Sequence, residues 1–290
     1  MKRLFLSLLI LNFIFSCEDK NSDKKKSERP KSYSEQWNIK GNVKSVEKTI
    51  YNVSEKFGEF EKQGIIKEPF FDSDEYHPPK SKTTYNKYGD PSHRKTYNSE
   101  GDRLGSLEYK FNSEDIPIGY KWKSTDDNGS SKYILDNNKY TEKIWGYDGD
   151  RNLISLTKHK RNKDGRLIKL SSFHNHFAMS KKEFEKEIRN SNNNIPEYLP
   201  YQVMKWKYDK KGNWIETSIY RELSLNSITK LKYDKDDNRI SHKTYDSDGD
   251  LISRWEYTKR DKMNNWIERV RYDKDNNVEL LEEVKIKYYK

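Results

Sequence analysis

Hydrophobic and polar residues alternate along most of the last third of the chain. Met204, Trp206 and Tyr208 share one phase of the alternation, and the residues between them are lysines. Near the C-terminus, Val284 and Ile286 alternate with lysines in the same way. A period of two residues is typical of a β-strand that buries one face. The pattern therefore predicts strands with one apolar face and one lysine-rich face.

Short clusters of Asp, Asn and Gly separate these alternating segments, and most clusters follow an aromatic residue. The clearest copies lie at 208–213, 233–238, 245–250 and 272–277, and earlier copies lie at 85–90, 97–102 and 111–115. Gly accepts positive φ, and Asp and Asn side chains bond to the nearby backbone, so each cluster predicts a turn. A repeat of about 12 residues corresponds to one strand plus one turn, which predicts a series of β-hairpins.

These phrases, such as Tyr208-Asp209-Lys210-Lys211-Gly212-Asn213, resemble the YD-repeat family, also called RHS-like repeats. Units of that family carry Tyr-Asp, two variable residues, then Gly and Asn or Arg. In this chain Asp237 and Asn276 stand where the family has Gly. The resemblance implies a β-repeat architecture and an association with carbohydrate. The large RHS proteins that wrap a toxin in a β shell are far longer, so we do not carry that role over.

The predicted fold is all-β: a long antiparallel meander of repeated hairpins that forms a twisted, rolled or solenoid-like sheet. Sheets of more than about ten strands tend to curl or split. A β-propeller and two stacked sandwiches are the alternatives. Residues 58–82 lack the alternation and contain three prolines, which predicts a long loop.

The repeat is interrupted between residues 171 and 200, where the sequence predicts one short helix near 181–190. Ser180 and Glu183 fit a capping box, and Met179 and Phe184 fit a hydrophobic staple. We expect this helix to mark a domain boundary, to cover a sheet edge or to form a binding feature.

The N-terminal segment has the features of a bacterial lipoprotein signal. Lys2 and Arg3 precede an apolar stretch, Leu4 to Phe15, that is too short to span a bilayer stably. Ile14-Phe15-Ser16-Cys17 resembles a lipobox, and Cys17 is the only cysteine in the chain. The sequence therefore predicts lipidation of Cys17 and membrane attachment through that anchor.

The predicted organisation is a signal peptide at 1–16, a lipidated cysteine and flexible tether at 17–33, and a β-repeat domain at 34–290 with an internal break at 171–200. The tether is rich in Lys, Asp, Ser and Asn and cannot bury a core. Its r.m.s. reach is roughly 20–25 Å. The predicted location is the bacterial outer membrane, facing the periplasm or the cell surface.

Composition qualifies this interpretation. The chain is 32% hydrophobic and 36% charged, which is close to disordered sequences, but aromatic residues reach 13% and supply a core. Removal of Lys2 and Arg3 lowers the net charge from +10 to +8. Basic and acidic residues are interleaved, which favours weak contact with anionic surfaces. No nucleic-acid-binding module is present, and we predict no nucleic-acid partner.

Three groups of residues are candidate sites. Trp206, Trp214, Trp255 and Trp266 are candidates for stacking on sugar rings, or alternatively form the core. Asp246, Asp248 and Asp250 have the spacing of a calcium loop, but the same residues also suit a turn. His174 and His176 would share a strand face, as in some metal sites, or are surface or packed histidines.

No nucleophile–base pair, phosphate loop or carboxylate dyad stands out. The sequence therefore predicts a non-catalytic binding or scaffolding module with no cofactor, whose ligand is a glycan or a protein. The alternative is an envelope hydrolase or glycan-processing enzyme whose site is assembled from scattered residues.

Overall fold

The computed structural model describes residues 39–72, 75–175, 178–190 and 200–290. In these ranges the chain forms nineteen β-strands and one α-helix, α1 (Lys181–Asn190). The strands are β1 (Val43–Lys56), β2 (Glu59–Ile65), β3 (Phe70–Asp72), β4 (Glu75–His77), β5 (Lys80–Tyr85), β6 (Pro91–Tyr97), β7 (Arg103–Phe111), β8 (Pro117–Ser124), β9 (Asn128–Leu135), β10 (Thr141–Asp148), β11 (Leu153–Arg161), β12 (Leu167–His174), β13 (Gln202–Tyr208), β14 (Trp214–Arg221), β15 (Ser224–Tyr233), β16 (Arg239–Asp246), β17 (Leu251–Arg260), β18 (Trp266–Asp273) and β19 (Val278–Tyr288). The predicted all-β class, the repeated hairpins and the helix at 181–190 are confirmed.

Sixteen strands form a closed antiparallel ring, which consists of β1 together with the fifteen strands from β5 to β19. Strands β5 to β19 pair in sequence order. Strand β19 then pairs with β1 from Val43 to Asn52, and β1 pairs with β5 from Ser45 to Thr49. The expectation of a rolled or solenoid-like sheet is therefore wrong, because β1 pairs with the strand at each end of the meander and closes the ring. The fold is a β-barrel, which leaves few free strand edges.

The alternation along each strand gives the barrel an inner and an outer face. Directly opposed residues share a face, and the pairs Tyr109–Tyr120 and Tyr133–Ile144 are buried on the inner one. Small hydroxyl residues fill other inner positions and are buried, as at Thr157. Lysine and other charged residues occupy many of the outer positions, as the alternation predicts.

Eleven of the turns share one geometry. The first residue is Asp or Asn, its N–H donates to the carbonyl of the fifth residue, and its Oδ1 accepts the N–H of the fifth residue. The fourth residue has positive φ, as expected for a type I turn followed by a bulge. The first residues are Asn86, Asn98, Asn112, Asp136, Asp148, Asn162, Asp209, Asp234, Asp246, Asp261 and Asp273. Asp237 and Asn276, which replace the expected Gly, take φ values of 60° and 66°.

Successive turns alternate between the two rims of the barrel, because neighbouring strands are antiparallel. We call the rim with the turns at 86–90, 112–116, 136–140, 162–166, 209–213, 234–238 and 261–265 the N-terminal rim. The described chain enters the barrel there: the Lys40 N–H donates to Asn265 Oδ1 at 2.7 Å, and Lys40 Nζ donates to Asn238 Oδ1 at 2.7 Å. The described part of the chain therefore begins at this rim.

Helix α1 lies on the outer face of the barrel. Its predicted cap is present, since the Ser180 N–H donates to Glu183 Oε2 at 3.0 Å and the Glu183 N–H donates to Ser180 Oγ at 3.4 Å. Phe184 is 1% exposed and packs on Trp145, Leu156 and Phe173 of β10–β12. The helix thus covers an apolar patch of the wall rather than the sheet edge that the sequence suggested.

The predicted long loop at 58–82 is also wrong. Strand β2 pairs with the second half of β1 through a two-residue turn at Phe57 and Gly58, and β3 and β4 form a separate small hairpin. Strands β12 and β13 pair directly across the 171–200 interruption. The signal peptide, Cys17, the tether and His176 lie outside the described residues.

Candidate functional site in the barrel interior

The β3–β4 hairpin branches from the wall and packs against the inner face. Both of its legs are tied to β1: the Ile66 N–H donates to the Ile50 carbonyl at 3.1 Å, and the Ile50 N–H donates to the Pro79 carbonyl at 3.0 Å. The rings of Phe70 and His77 stack across the hairpin with centroids 4.7 Å apart. The described residues of the hairpin are therefore fixed against β1.

The hairpin contacts inner-face residues of β17, β18 and β19. His77 is 3% exposed, and its ring lies 5.9 Å from that of Trp255. Its Nδ1 is 3.7 Å from Glu282 Oε2. The guanidinium of Arg271 lies over the Phe70 ring at 5.7 Å. These contacts place the hairpin in the barrel interior, which a ring of sixteen strands would otherwise leave wide.

Glu282 is at the centre of a buried ion cluster beneath the hairpin. Its carboxylate is fully buried and accepts Arg269 Nε at 3.0 Å and Arg269 Nη2 at 2.6 Å. Lys48 Nζ of β1 lies 3.2 Å from Glu282 Oε1. Burial of an isolated carboxylate is costly, so the basic groups around it are needed to hold it in its charged form. The cluster joins the closing strands β1 and β19 to β18 and to the hairpin.

Aromatic rings complete the surroundings of Arg269. Its guanidinium lies 3.9 Å from the centroid of the Trp255 ring and 4.8 Å from that of Trp266. Such cation–π contacts strengthen when water is excluded. The Arg269 side chain, 2% exposed, is therefore held by a carboxylate and by two indoles.

Arg239 is the centre of a second inner group, towards the N-terminal rim. Its guanidinium lies 5.6 Å from the Trp214 ring. Burial acts to lower the pKa of Arg239, but the phenols of Tyr257 and Tyr233 outweigh burial and raise it. The Tyr233 hydroxyl also donates to the Trp214 carbonyl at 2.9 Å. Arg239 therefore stays charged within an aromatic and phenolic shell.

Burial in the interior also perturbs a histidine of β11. Burial, aided by the charge of Arg161, lowers the pKa of His159 to about 3. The imidazole is therefore neutral at physiological pH. Burial likewise raises the pKa of Tyr109 to about 12.

The four candidate tryptophans all belong to the inner face. Trp255 is 1% exposed, and its ring is covered by Arg269 and His77, so it offers no open face to a sugar. Trp206, half-buried, packs against a cluster of Leu170, Met204 and Ile219. Stacking on sugars stays a prediction for Trp206, Trp214 and Trp266, which are each partly exposed.

The candidate calcium loop is one of the shared turns. Asp246 Oδ1 accepts the N–H of Asp248 at 3.0 Å and that of Asp250 at 2.9 Å, so this oxygen already caps the backbone. The ring of His174 stacks on that of Tyr201, with centroids 3.9 Å apart. In the described ranges, no three His, Cys, Asp or Glu side chains are arranged to hold a metal ion.

The residues of the ion cluster were not among the candidates that the sequence suggested. Arg269 and Glu282 occupy positions that the alternation assigns to the buried face, where charged residues are rare. A charged residue at a position that the alternation assigns to the buried face was therefore the signal that could have identified this cluster. His77 gave no comparable signal, because it belongs to a hairpin that the sequence did not reveal.

The residues on the outer face indicate which medium surrounds the barrel. Lysines occupy outer positions on most strands, among them Lys82, Lys95, Lys110, Lys121, Lys123, Lys132, Lys160, Lys169, Lys207, Lys232, Lys285 and Lys287. A lysine on the lipid face of a transmembrane barrel costs about 2–4 kcal/mol at the bilayer midplane. The wall therefore faces water.

The described part of the chain contains no helix with the length and apolarity to cross a membrane.

These features define a closed, water-facing antiparallel β-barrel with a hairpin packed inside it. No protein-family model and no curated protein matches the sequence.

Three solved structures show weak likeness to the chain. A porin-like protein from Bacteroides uniformis gives a TM-score of 0.42 at 8% identity, over 84% of this chain and 98% of that one. A porin-like protein from Bacteroides vulgatus gives 0.25 at 9% identity, over 71% and 96%. The TcdB2-TccC3-Cdc42 structure gives 0.22 at 12% identity, over 69% of this chain and 12% of that one. We base the fold on the strand pairings and infer no function from these likenesses.

Proposed function

We propose that the protein is a lipid-anchored, non-catalytic binding or scaffolding module of the bacterial cell envelope. The observation that carries this proposal is the division of the barrel into a filled interior and an exposed wall. The interior is occupied by the β3–β4 hairpin and by paired charged side chains, such as Arg269 with Glu282. The wall and the turns are the surfaces available to a partner.

The anchor part of the proposal rests on the N-terminal sequence. Residues 1–16 are removed, and Cys17 carries the acyl chains that hold the protein on the outer membrane, towards the periplasm or the cell surface. Each buried CH₂ contributes roughly 0.8 kcal/mol, so two or three chains retain the protein firmly. The segment between Cys17 and residue 39 then separates the barrel from the bilayer.

Metabolic labelling with an alkynyl fatty acid in a Gram-negative host tests the anchor. We expect label on the natural chain, none on Cys17→Ser, and undiminished label on the matched control Ser16→Ala, which keeps a small residue before the cysteine. Mass spectrometry of the N-terminal peptide should show a diacylglyceryl cysteine. An unmodified Cys17 in the membrane fraction would contradict the anchor.

A glycan array and a turnover assay on envelope extracts test the binding role. We expect the folded barrel to retain one class of envelope ligand reproducibly and to leave that ligand chemically unchanged. The control is the same protein unfolded in urea, which should retain none. Conversion of a glycan or peptide by the folded protein, without stable binding, would favour the enzyme alternative.

A further inference from the structure

The outer face of strands β6–β9 carries five lysines. We call Lys95, Lys110, Lys121, Lys123 and Lys132 the lysine wall; all five are exposed. Their neighbours in the same strands, Tyr109, Tyr120 and Tyr133, belong to the buried inner cluster, so the alternation directs the lysines outward.

The strand register brings these lysines together on one surface. Lys110 and Lys132 both oppose Gly119, and Lys95 and Lys123 both oppose Ser106. Lysines two strands apart are therefore separated by about 10 Å at the backbone. Lys121 lies between these two rows, opposite Glu108.

The positive charge of this surface is largely unneutralised. Within the described residues, no ion pair or ring contact engages the lysine wall, and Glu108 is the acidic residue on the same surface. Some lysines elsewhere on the outer face are engaged: Lys207 pairs with Glu216 at 2.7 Å, and Lys205 and Lys230 lie over the Tyr220 and Tyr245 rings.

We propose that the lysine wall docks the barrel on an anionic lipid surface. The positive charge of the lysine wall is complementary to the negative charge of anionic headgroups. The lysine wall lies on the convex outer face of the barrel, and a convex face suits a broad surface better than an inserted peptide. Ile134, 36% exposed on the same outer face as Lys132, supplies an apolar contact close to the N-terminal rim. The described chain begins at that rim, 22 residues after the proposed anchor at Cys17, so an anchored barrel has the lysine wall within reach of headgroups.

This inference rests on the proposed envelope location, but its test does not need the anchor. The ring is complete between Val43 and Tyr288, so a chain that begins at residue 18 retains every strand. The experiment measures flotation of that unacylated chain with phosphatidylcholine vesicles, and with vesicles in which about one-third of the lipid is phosphatidylglycerol. We expect binding to the anionic vesicles alone, weakening as salt rises.

The wall variant combines Lys95→Gln, Lys110→Gln, Lys121→Gln, Lys123→Gln and Lys132→Gln. We expect it to bind the anionic vesicles at least about 100-fold more weakly, since each lysine near an anionic surface contributes about 1 kcal/mol. The matched control removes the same charge elsewhere on the outer face, through Lys205→Gln, Lys230→Gln, Lys232→Gln, Lys243→Gln and Lys285→Gln. It should lose less than about 10-fold.

Several outcomes would overturn the proposal. An equal loss in both variants would show attraction by net charge alone, and equal binding to neutral vesicles would exclude headgroup charge. Retention on heparin without vesicle binding would point to a polyanionic glycan instead. Circular dichroism of both variants confirms that the barrel is folded. Because acylation of Cys17 is measured separately, failure of the docking surface leaves the anchor result intact.

Discussion

At the residue scale, the shared turn depends on one side-chain oxygen. Asn86 Oδ1 accepts the N–H groups of Tyr88 and Asp90, each at 3.0 Å. Asn86→Ala leaves both donors without this acceptor, and we expect it to lower the free energy of unfolding by about 1–2 kcal/mol. Asn86→Asp is the control, because Asp performs the same role in other turns of the barrel. Urea denaturation measures both, and an equal loss would contradict the role of the oxygen.

A second residue-scale prediction concerns pH. The pKa of His159 is about 3 in the folded barrel, against about 6.5 in an unfolded chain. Below pH 6.5 the unfolded chain takes up a proton that the folded barrel does not, so stability falls as the pH is lowered towards 3. Between pH 7 and pH 5 this should cost about 2 kcal/mol. His159→Gln should remove that part of the loss, whereas His93→Gln, at an exposed position, should not. Urea denaturation across this pH range measures the stability of the natural chain and of both variants. Identical dependence of stability on pH in the three proteins would refute the assignment to His159.

At the scale of elements, helix α1 is held mainly by Phe184. Its ring is 1% exposed over Trp145, Leu156 and Phe173. Phe184→Ala removes this contact, and we expect the free energy that holds the helix against the barrel to fall by about 3–4 kcal/mol. Hydrogen exchange should show α1 and the outer face of β10–β12 losing protection while the rest of the barrel is unchanged. Lys186→Ala, at an exposed position, should leave the exchange as it is, and global unfolding of F184A would contradict a local role.

The elements themselves were largely predictable because their signals are local. The alternation of Met204, Trp206 and Tyr208 with lysines, the Asx–Gly turns and the capping box of Ser180 and Glu183 each act over a few residues, and the structure contains the corresponding strands, turns and helix. The place of α1 was not predictable, because the apolar patch it covers is assembled from three strands. The β3–β4 hairpin was missed because it is short and contains no long alternation.

For the whole molecule, closure of the ring lies beyond what the local pattern can specify. Strand β1 pairs with β19 at opposite ends of the chain, as in the register of Ile50 with Glu282. Alternation shows that each strand has a buried face but not which strands become neighbours at the two ends. The interior follows from closure, because Glu282 and Arg269 become a satisfied pair only once β1, β18 and β19 enclose them.

Because the buried pair of Arg269 and Glu282 forms only in the closed ring, breaking it should destabilise the entire barrel. Glu282→Gln leaves the buried Arg269 and the nearby Lys48 without their carboxylate, and we expect a loss of about 3–5 kcal/mol in the free energy of unfolding. The neighbouring Glu283 provides a matched control: it pairs with Lys62 at 2.5 Å in a more exposed position, so Glu283→Gln should cost at most about 1 kcal/mol.

A double-mutant cycle isolates the pair. Arg269→Leu combined with Glu282→Leu should cost clearly less than the sum of the two single substitutions, because neither buried charge is then left without the other. Urea denaturation followed by tryptophan fluorescence measures all four proteins, since Trp255 and Trp266 flank Arg269 and report on the same region. Additive losses would show that the two side chains are stabilised independently, and the ion cluster would then not be the element that holds the closing strands to the hairpin.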